Sequence, residues 1–337
     1  MSTNLYIYYS KNLKNMITIE ENLQPDENWN NRLLQAEIGP MVQTTQMSTS
    51  YKIEGGTPKF LTFNDANGNI LGQLLLGVMP RFTNSSSHKI LKKLPGIKKS
   101  TYYWVQGPII FQSKYTRDVF GSLQNYLLSK RSRVYGSTFP LCNFQKNFIS
   151  KDFQIQEWAT SMIDLKKPID ELFSNISKHS GQKNIQRAEK RGITIEEIDE
   201  NNLYDYHCIK DESRERMNEE TYDYQATLEW WRRIKPIGYS GFLARKEGKA
   251  ISGILFSYFN NIIVEAGIAR SLEDMKEKLY SQDLIKWKII EWGKNNKMNY
   301  YNLAGYNPYP KTPKEEGIKK YKEKWGGKKY VFWYIKK

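Results

Sequence analysis

The side chains of this sequence best suited to chemistry are cations. The stretch 311–337 is crowded with lysines, among them Lys322 and Lys324 in YKEKWGG at 321–327. An ammonium held in a partly dry cleft stabilises a developing oxyanion far better than one in water. Residue type alone does not separate such a lysine from a solvated neighbour on a basic helix. A second cluster, KNIQRAEKR at 183–191, either faces a polyanion or forms a solvated helix surface, and a third spans 88–99.

Other chemistries lack their parts. The three histidines, His88, His179 and His207, are far apart and without metal-ligand spacing, so catalytic zinc is not expected. There is no G-x-x-x-x-G-K-[ST] loop, no G-x-G-x-x-G after a strand, and no G-x-S-x-G elbow. What remains is catalysis by positioning and electrostatic stabilisation. Aminolysis of an already activated ester suits that inventory, because the ester supplies the driving force.

Composition sets the class. The chain has 337 residues, 39% of them apolar, and a formal net charge of +15. It is long enough for two domains, and so basic a surface attracts polyanions, whether nucleic acid, nucleotide-linked substrates or an anionic membrane. No apolar run reaches membrane-span length, and the first residues do not read as a signal peptide. Cys142 and Cys208 read as reduced thiols, and a cytoplasmic location follows as an expectation.

The elements that must position these cations read as mixed α/β. A short helix is expected over 26–38, a hairpin around Asn67-Gly68, β-formers broken by Gly107-Pro108 across 102–111, and a helix over 116–130. The second half predicts helical turns across 168–192 stopping at Gly192, a strand at ITIEEI, and helices over 202–217 and 225–234. Two strands follow around the turn at Gly248, then a further strand at NNIIVEAGIA. A long helix capped by Ser281, its end marked by Gly293 and Asn295-Asn296, comes next, then a strand over 298–303 with a loop leaving it at 304–308. A lysine-rich helix over 313–324, a Gly326-Gly327 turn and a strand over 330–335 close the chain. NGNILGQLLLG at 67–77 and EGKAISGILFS at 247–257 each have a turn Gly, a short apolar link, a second Gly (Gly72, Gly253) and an apolar strand, which suggests two copies of one α/β unit.

Seven segments in order resemble one family. They are VQTTQMSTSYK at 42–52, QGPII at 106–110, KNIQRAEKRG at 183–192, SRERM at 213–217, GILFSY at 253–258, YNLAG at 301–305 and YKEKWGG at 321–327. The chain resembles the Fem (FemABX) aminoacyltransferases, which build peptide cross-bridges on bacterial cell-wall precursors (peptidoglycan). The resemblance implies an α/β (α+β) chain of two tandem GNAT-like acyltransferase domains without a coiled-coil arm. The first would comprise 1–155 plus 325–337 and the second 156–324. It implies aminoacyl-tRNA as donor substrate, no cofactor, and the amine of a peptide or cell-wall precursor as acceptor. A monomer with transient membrane-surface contact is expected.

The resemblance also assigns residues. Lys322 falls where the family places an oxyanion-stabilising lysine. Lys52 and Arg216 fall where the acceptor's phosphates or carboxylates are held, and Arg214 competes for the second alignment. An arginine's planar fork suits such oxyanions. Tyr258 is placed to hydrogen-bond the acceptor, and Tyr306 and Asn307 follow a strand end near the cleft. Lys183, Arg187, Lys190 and Arg191 form the candidate tRNA patch. The sequence departs from the family at Met47, where an aromatic is usual, at Asn302, where Asp is usual, and at Met217-Asn218, where a Gly and an aromatic are usual. The competing readings are a CoA-dependent GNAT N-acyltransferase and a non-enzymatic RNA-binding protein. The first needs a [QR]-x-x-G-x-[AG] loop, absent from 266–285, and the second lacks an RRM, KH or zinc-knuckle signature.

Overall fold

The computed structural model describes residues 4–8, 17–36, 39–80, 100–130 and 132–337. The basic cluster at 88–99 lies outside them. The chain divides into two units, residues 1–159 with 330–337, and residues 160–329.

In the first unit the sheet order is β1 (Asn4–Tyr8), β2 (Ile17–Asn22), β3 (Thr57–Asn64), β4 (Ile70–Pro80), β5 (Ser100–Trp104), β7 (Arg133–Ser137) and β14 (Lys328–Lys336). A short β6 (Ile109–Ile110) also pairs with β4. Helices α1 (Trp29–Gln35) and α2 (Ser48–Ile53) lie between β2 and β3 in sequence, and α3 (Thr116–Ser129) lies between β6 and β7. The β3–β4 hairpin forms where Asn67-Gly68 predicts it. Asp65 accepts the Asn67 and Asn69 amides at 2.9 and 2.8 Å, and Gly68 takes φ +82°. Strands β5 and β7 run parallel from Thr101↔Arg133 to Trp104↔Gly136. A parallel neighbour requires a crossover, and α3 supplies it. Its buried face (Val119, Phe120, Leu123, Leu127) shares a core with Ile19, Phe63, Leu74 and Trp104.

The second unit repeats this plan. Its sheet order is β8 (Gln154–Asp164), β13 (Tyr300–Tyr306), β12 (Ile262–Arg270), β11 (Lys249–Phe259), β10 (Tyr239–Lys246) and β9 (Thr194–Glu197). Strands β10, β11 and β12 are antiparallel, as are β3, β4 and β5. A helix then crosses to a parallel strand, here β13. Each hairpin carries a bulge, at Leu71 on β4 and at Ile251 on β11, so the repeated hairpin of the sequence is one part of a repeated unit; Gly72 matches Ser252 and Gly253 matches Gln73, so the two glycines themselves are one residue out of step.

Helices cover both faces of the second sheet. Helices α6 (Leu203–Glu215) and α7 (Tyr224–Gly238) bury Leu203, Tyr206 and Trp231 against Leu243 and Leu255. On the other face, α4 (Ile169–Asn175), α5 (Lys183–Lys190) and α9 (Ser281–Asn295) cover Ile254, Phe256, Ile263, Tyr301 and Leu303. Residues 254–256 alternate between two buried faces, as a strand covered on both sides must. Among the described residues no helix is long and apolar enough to cross a membrane.

Local details differ from the sequence expectations at the ends of elements. Residues 178–182 form a π-helical turn leading into α5. Ser281 is the first residue of α9 and not its cap, because its hydroxyl donates to Asp274 at 2.7 Å. Helix α9 ends at Asn295 with Asn296 as its cap, as Asn295-Asn296 predicts, and Gly293 lies buried inside it. Strand β13 continues through the expected loop to Tyr306, with a left-handed residue at Ala304 (φ +62°).

The closing helix of this unit, α10 (Pro313–Glu323), starts on a Thr312 hydroxyl that accepts the Glu315 amide at 3.2 Å, with Pro313 in its first turn. It stops at Trp325, which is fully buried, and Gly326, at φ +70°. A Cβ on Gly326 would sit 2.5 Å from the Asn175 carbonyl oxygen. Gly326→Ala therefore combines left-handed strain with a backbone overlap. It is expected to lower stability by about 2 kcal/mol or more, read from urea unfolding; a change within about 0.5 kcal/mol would contradict this packing.

Candidate active site

The site begins where two strands part. Parallel pairing of β12 with β13 runs through Ile262↔Tyr300, Ile263↔Tyr301 and Val264↔Asn302, and the register goes no further. Past that point β13 turns on Ala304. The Asn302 side chain accepts the Ala304 amide at 2.9 Å, and the Thr160 hydroxyl donates to the Ala304 carbonyl at 2.9 Å. The carbonyls of Leu303 and Gly305 accept hydrogen bonds from the Lys322 ammonium at 2.6 and 3.0 Å. Lys322 is half-buried. Burial pushes its pKa down to about 8; the nearby Lys286 ammonium adds to that, while Glu265 opposes it. An ammonium has three N–H groups. Two are spent on carbonyls, and the third has no partner among the described residues.

Beneath Lys322 lies a buried set of charges. Glu265 on β12 accepts from Lys286 on α9 and, at 2.9 Å, from the Tyr301 hydroxyl on β13. Lys286 and Glu265 are 1% and 3% exposed, so this pair is dry. Burial and the adjacent Glu265 carboxylate raise the Tyr301 phenol well above its ordinary pKa. Lys324 donates to Asp283 on α9 at 2.6 Å and to the Ser180 carbonyl at 2.9 Å. The other Asp283 oxygen accepts from the Asn184 amide of α5 at 2.8 Å. The Tyr321 ring lies between the two buried cations, 5.4 Å from Lys286 and 4.3 Å from Lys324. Three ammoniums (Lys286, Lys322, Lys324) thus meet two carboxylates (Glu265, Asp283). Lys322 is the one of the three without a carboxylate partner.

This geometry accounts for the two most specific sequence segments. In YKEKWGG, Lys322 reaches the β13 carbonyls, Lys324 anchors to α9, and Trp325 and the glycines seat the turn. In KNIQRAEKRG, Asn184 meets the same aspartate as Lys324. Sequence reading missed Asp283, Lys286 and Glu265. The available signal was charge inside apolar elements: Glu265 interrupts a run of strand residues, and Asp283 and Lys286 sit three apart in a helix otherwise rich in buried apolar side chains.

The remaining candidates are placed as follows. The Tyr306 ring is buried with its hydroxyl unpartnered among the described residues. Asn307 organises the start of α10, donating to Glu315 at 3.2 Å and accepting the Tyr309 amide at 3.0 Å. Tyr258 packs against Phe256 and Trp292 and aligns with Ile263, so it lies before the point where the strands part. Arg216 donates to Glu212 at 2.9 Å and to the Arg270 carbonyl at 2.6 Å, which ties α6 to the end of β12. Lys183, Arg187 and Lys190 are exposed on α5 at i, i+4 and i+7. Arg191 donates to the Glu277 and Lys278 carbonyls, and its guanidinium and that of Arg187 each lie 5.7 Å from the Tyr280 ring. Lys52 is exposed on α2 of the first unit.

The start of α9 is closed by its own chain. Asp274, fully buried on α8 (Leu272–Lys276), accepts the Ser281 amide at 3.2 Å and its hydroxyl at 2.7 Å, and also receives Arg270. Asp283 adds a second carboxylate in the first turn.

Solved structures share this architecture. FemX superposes with a TM-score of 0.66 at 12% identity, over 93% of this chain and 96% of FemX. The chain has a Fem-like, tandem GNAT-like fold. L-PGS from Bacillus licheniformis shares the fold at a TM-score of 0.55 and 12% identity, over 93% and 92% of the two chains. So does the C-terminal DUF2156 domain of a candidate lysylphosphatidylglycerol synthetase from Agrobacterium fabrum, at 0.55 and 10%, over 92% and 90%. No family model matches the sequence, and no curated protein does.

The site rests on its Lys324–Asp283 anchor. Lys324→Met strands a buried carboxylate and is expected to cost about 3 kcal/mol by urea unfolding. Lys324→Met combined with Asp283→Leu should recover most of that loss. Equal instability of the single and double variants would show that the pair is not the source.

Proposed function

We propose that the chain is an aminoacyltransferase that moves an amino acid from aminoacyl-tRNA to an amine of a peptide or cell-wall precursor. The observation that carries this reading is Lys322: a half-buried ammonium with no carboxylate partner, fixed by two backbone carbonyls where the strands of a Fem-like fold part. Its motif match to the family's catalytic lysine supports the same reading.

In the reaction the acceptor amine attacks the ester carbonyl of the donor. A C–N bond forms, the carbonyl oxygen takes negative charge, and the ester C–O bond then breaks. The third N–H of Lys322 points its charge at that oxygen. The amine's proton leaves with the departing ribose hydroxyl, directly or through water. The exposed row of Lys183, Arg187 and Lys190 suits the phosphates of the donor RNA, and Lys52 those of an acceptor. The occupied start of α9 argues against CoA as donor. A pyrophosphate binds a helix N-terminus through free amides, whereas here Asp274 holds the Ser281 amide and the Tyr280 carbonyl holds that of Asp283.

The deciding experiment supplies labelled aminoacyl-tRNA or labelled acetyl-CoA with peptide and precursor amines. Amide product is expected from the RNA ester only; product from the CoA ester alone would overturn the proposal. Lys322→Met is expected to lower kcat by about 100-fold or more with a smaller change in KM. The wild-type kcat/KM should fall above pH 8, because the ammonium is present below its pKa and lost above it. That falling limb should vanish in Lys322→Met. A limb that persists would remove Lys322 from the chemistry.

A further inference from the structure

We propose that Lys286 is a positioning residue for Lys322: by holding Glu265 in a closed set with Tyr301, it denies Lys322 a carboxylate partner and leaves that ammonium available to a reacting oxyanion. The inference rests on the reading of Lys322 given above.

The geometry is specific. Glu265 is the first residue of β12 beyond the paired stretch, and Leu303, which accepts from Lys322, is the first of β13. The carboxylate and the ammonium therefore lie at the same fork. Nothing in their chemistry keeps them apart, since a half-buried lysine beside a carboxylate ordinarily pairs with it. Glu265 is instead engaged from the other side. Lys286 arrives from the second turn of α9 and the Tyr301 hydroxyl from β13, both onto Oε2. A buried pair of this kind contributes little net stability compared with apolar residues of the same shape. Its presence at 1% and 3% exposure beside Lys322 points to a role other than holding the fold.

The charged and titratable groups around Lys322 come from four elements. They are Glu265 and Arg270 on β12, Asp283 and Lys286 on α9, Tyr301 and Tyr306 on β13, and Tyr321, Glu323 and Lys324 on or just after α10. Asp283 is engaged by Lys324 and Asn184, Arg270 by Asp274, and Glu323 is exposed. Glu265 and Lys286 are the two charges that act on Lys322, with opposite sign.

The test reads the Lys322 ammonium directly. Competitive labelling of lysines with an amine-reactive anhydride, quantified by mass spectrometry across pH, gives the midpoint of Lys322 without turnover. Wild type should titrate near 8. Lys286→Met should move the midpoint up by about one pH unit, as Glu265 turns to Lys322, and Glu265→Gln should move it down by a similar amount. The double variant Lys286→Met/Glu265→Gln should return toward wild type. In turnover with aminoacyl-tRNA, kcat should fall at least tenfold in Lys286→Met and recover to within about fivefold in the double variant. A loss of fold in Lys286→Met would be visible by circular dichroism and would not be repaired in the Lys322 midpoint. Unmoved midpoints in both folded single variants, or a double variant no better than Lys286→Met, would overturn the proposal. If the midpoints shift as expected but no variant and no wild type forms amide from aminoacyl-tRNA, the positioning role stands and the proposed reaction falls.

Discussion

The charge count under α10 constrains everything around it. Three ammoniums share two carboxylates in a region largely shut off from water. Each carboxylate is committed to one lysine and to one further donor, Tyr301 or Asn184. The surplus positive charge is borne by the lysine at the rim, where only backbone carbonyls receive it. A folded core tolerates such a surplus when it lies close enough to solvent or ligand to be answered. The apolar faces of the elements that meet here (α5, α9, α10, β12 and β13) supply the burial, and these contacts fix which charges face each other.

The two units follow one topology but treat the parallel strand pair differently. In the first unit β5 and β7 stay paired through Trp104↔Gly136. The Trp104 indole lies against Gly136, where a Cβ would overlap the ring, and its N–H donates to the Gly107 carbonyl at 3.0 Å. The pair is thus filled. In the second unit pairing stops one step earlier, β13 twists through Ala304, and the fork receives charged side chains instead of an indole. One plan yields a packed support in one case and a polar fork in the other.

Much of the fold was legible in the sequence because its signals are local. Asn67-Gly68 set a turn, Gly192 and Gly326 two stops, and alternating or 3.6-residue periodicity the elements between. The repeat was visible in two similar hairpin segments, although their second glycines sit one residue out of step. What was not legible was long-range pairing. Ser281 looked like a cap because a serine before an apolar stripe ordinarily is one; the group that holds its amide comes from Asp274 seven residues back. Lys322 and Lys324 looked alike in sequence, and only the third dimension gives one a carboxylate and the other two carbonyls. Arg216 and Asn307, selected for ligands, also make contacts within the chain, to Glu212 and the Arg270 carbonyl and to Glu315. Lys286 and Glu265 are 21 residues apart, and no periodicity announces that they meet.

Strand β14 carries a consequence for the order in which the chain is made. Its residues from 330 onward belong to the first unit, where Tyr334, Ile335 and Lys336 pair with β7. All of 160–329 is synthesised in between. The first unit therefore leaves the ribosome with the β7 edge open, and an unpaired edge is a template for other chains. The second unit can fold while that edge waits, and the sheet of the first is completed by a strand translated after its neighbour. Truncation just before 330 would then release a protein whose first unit is prone to pairing with strangers.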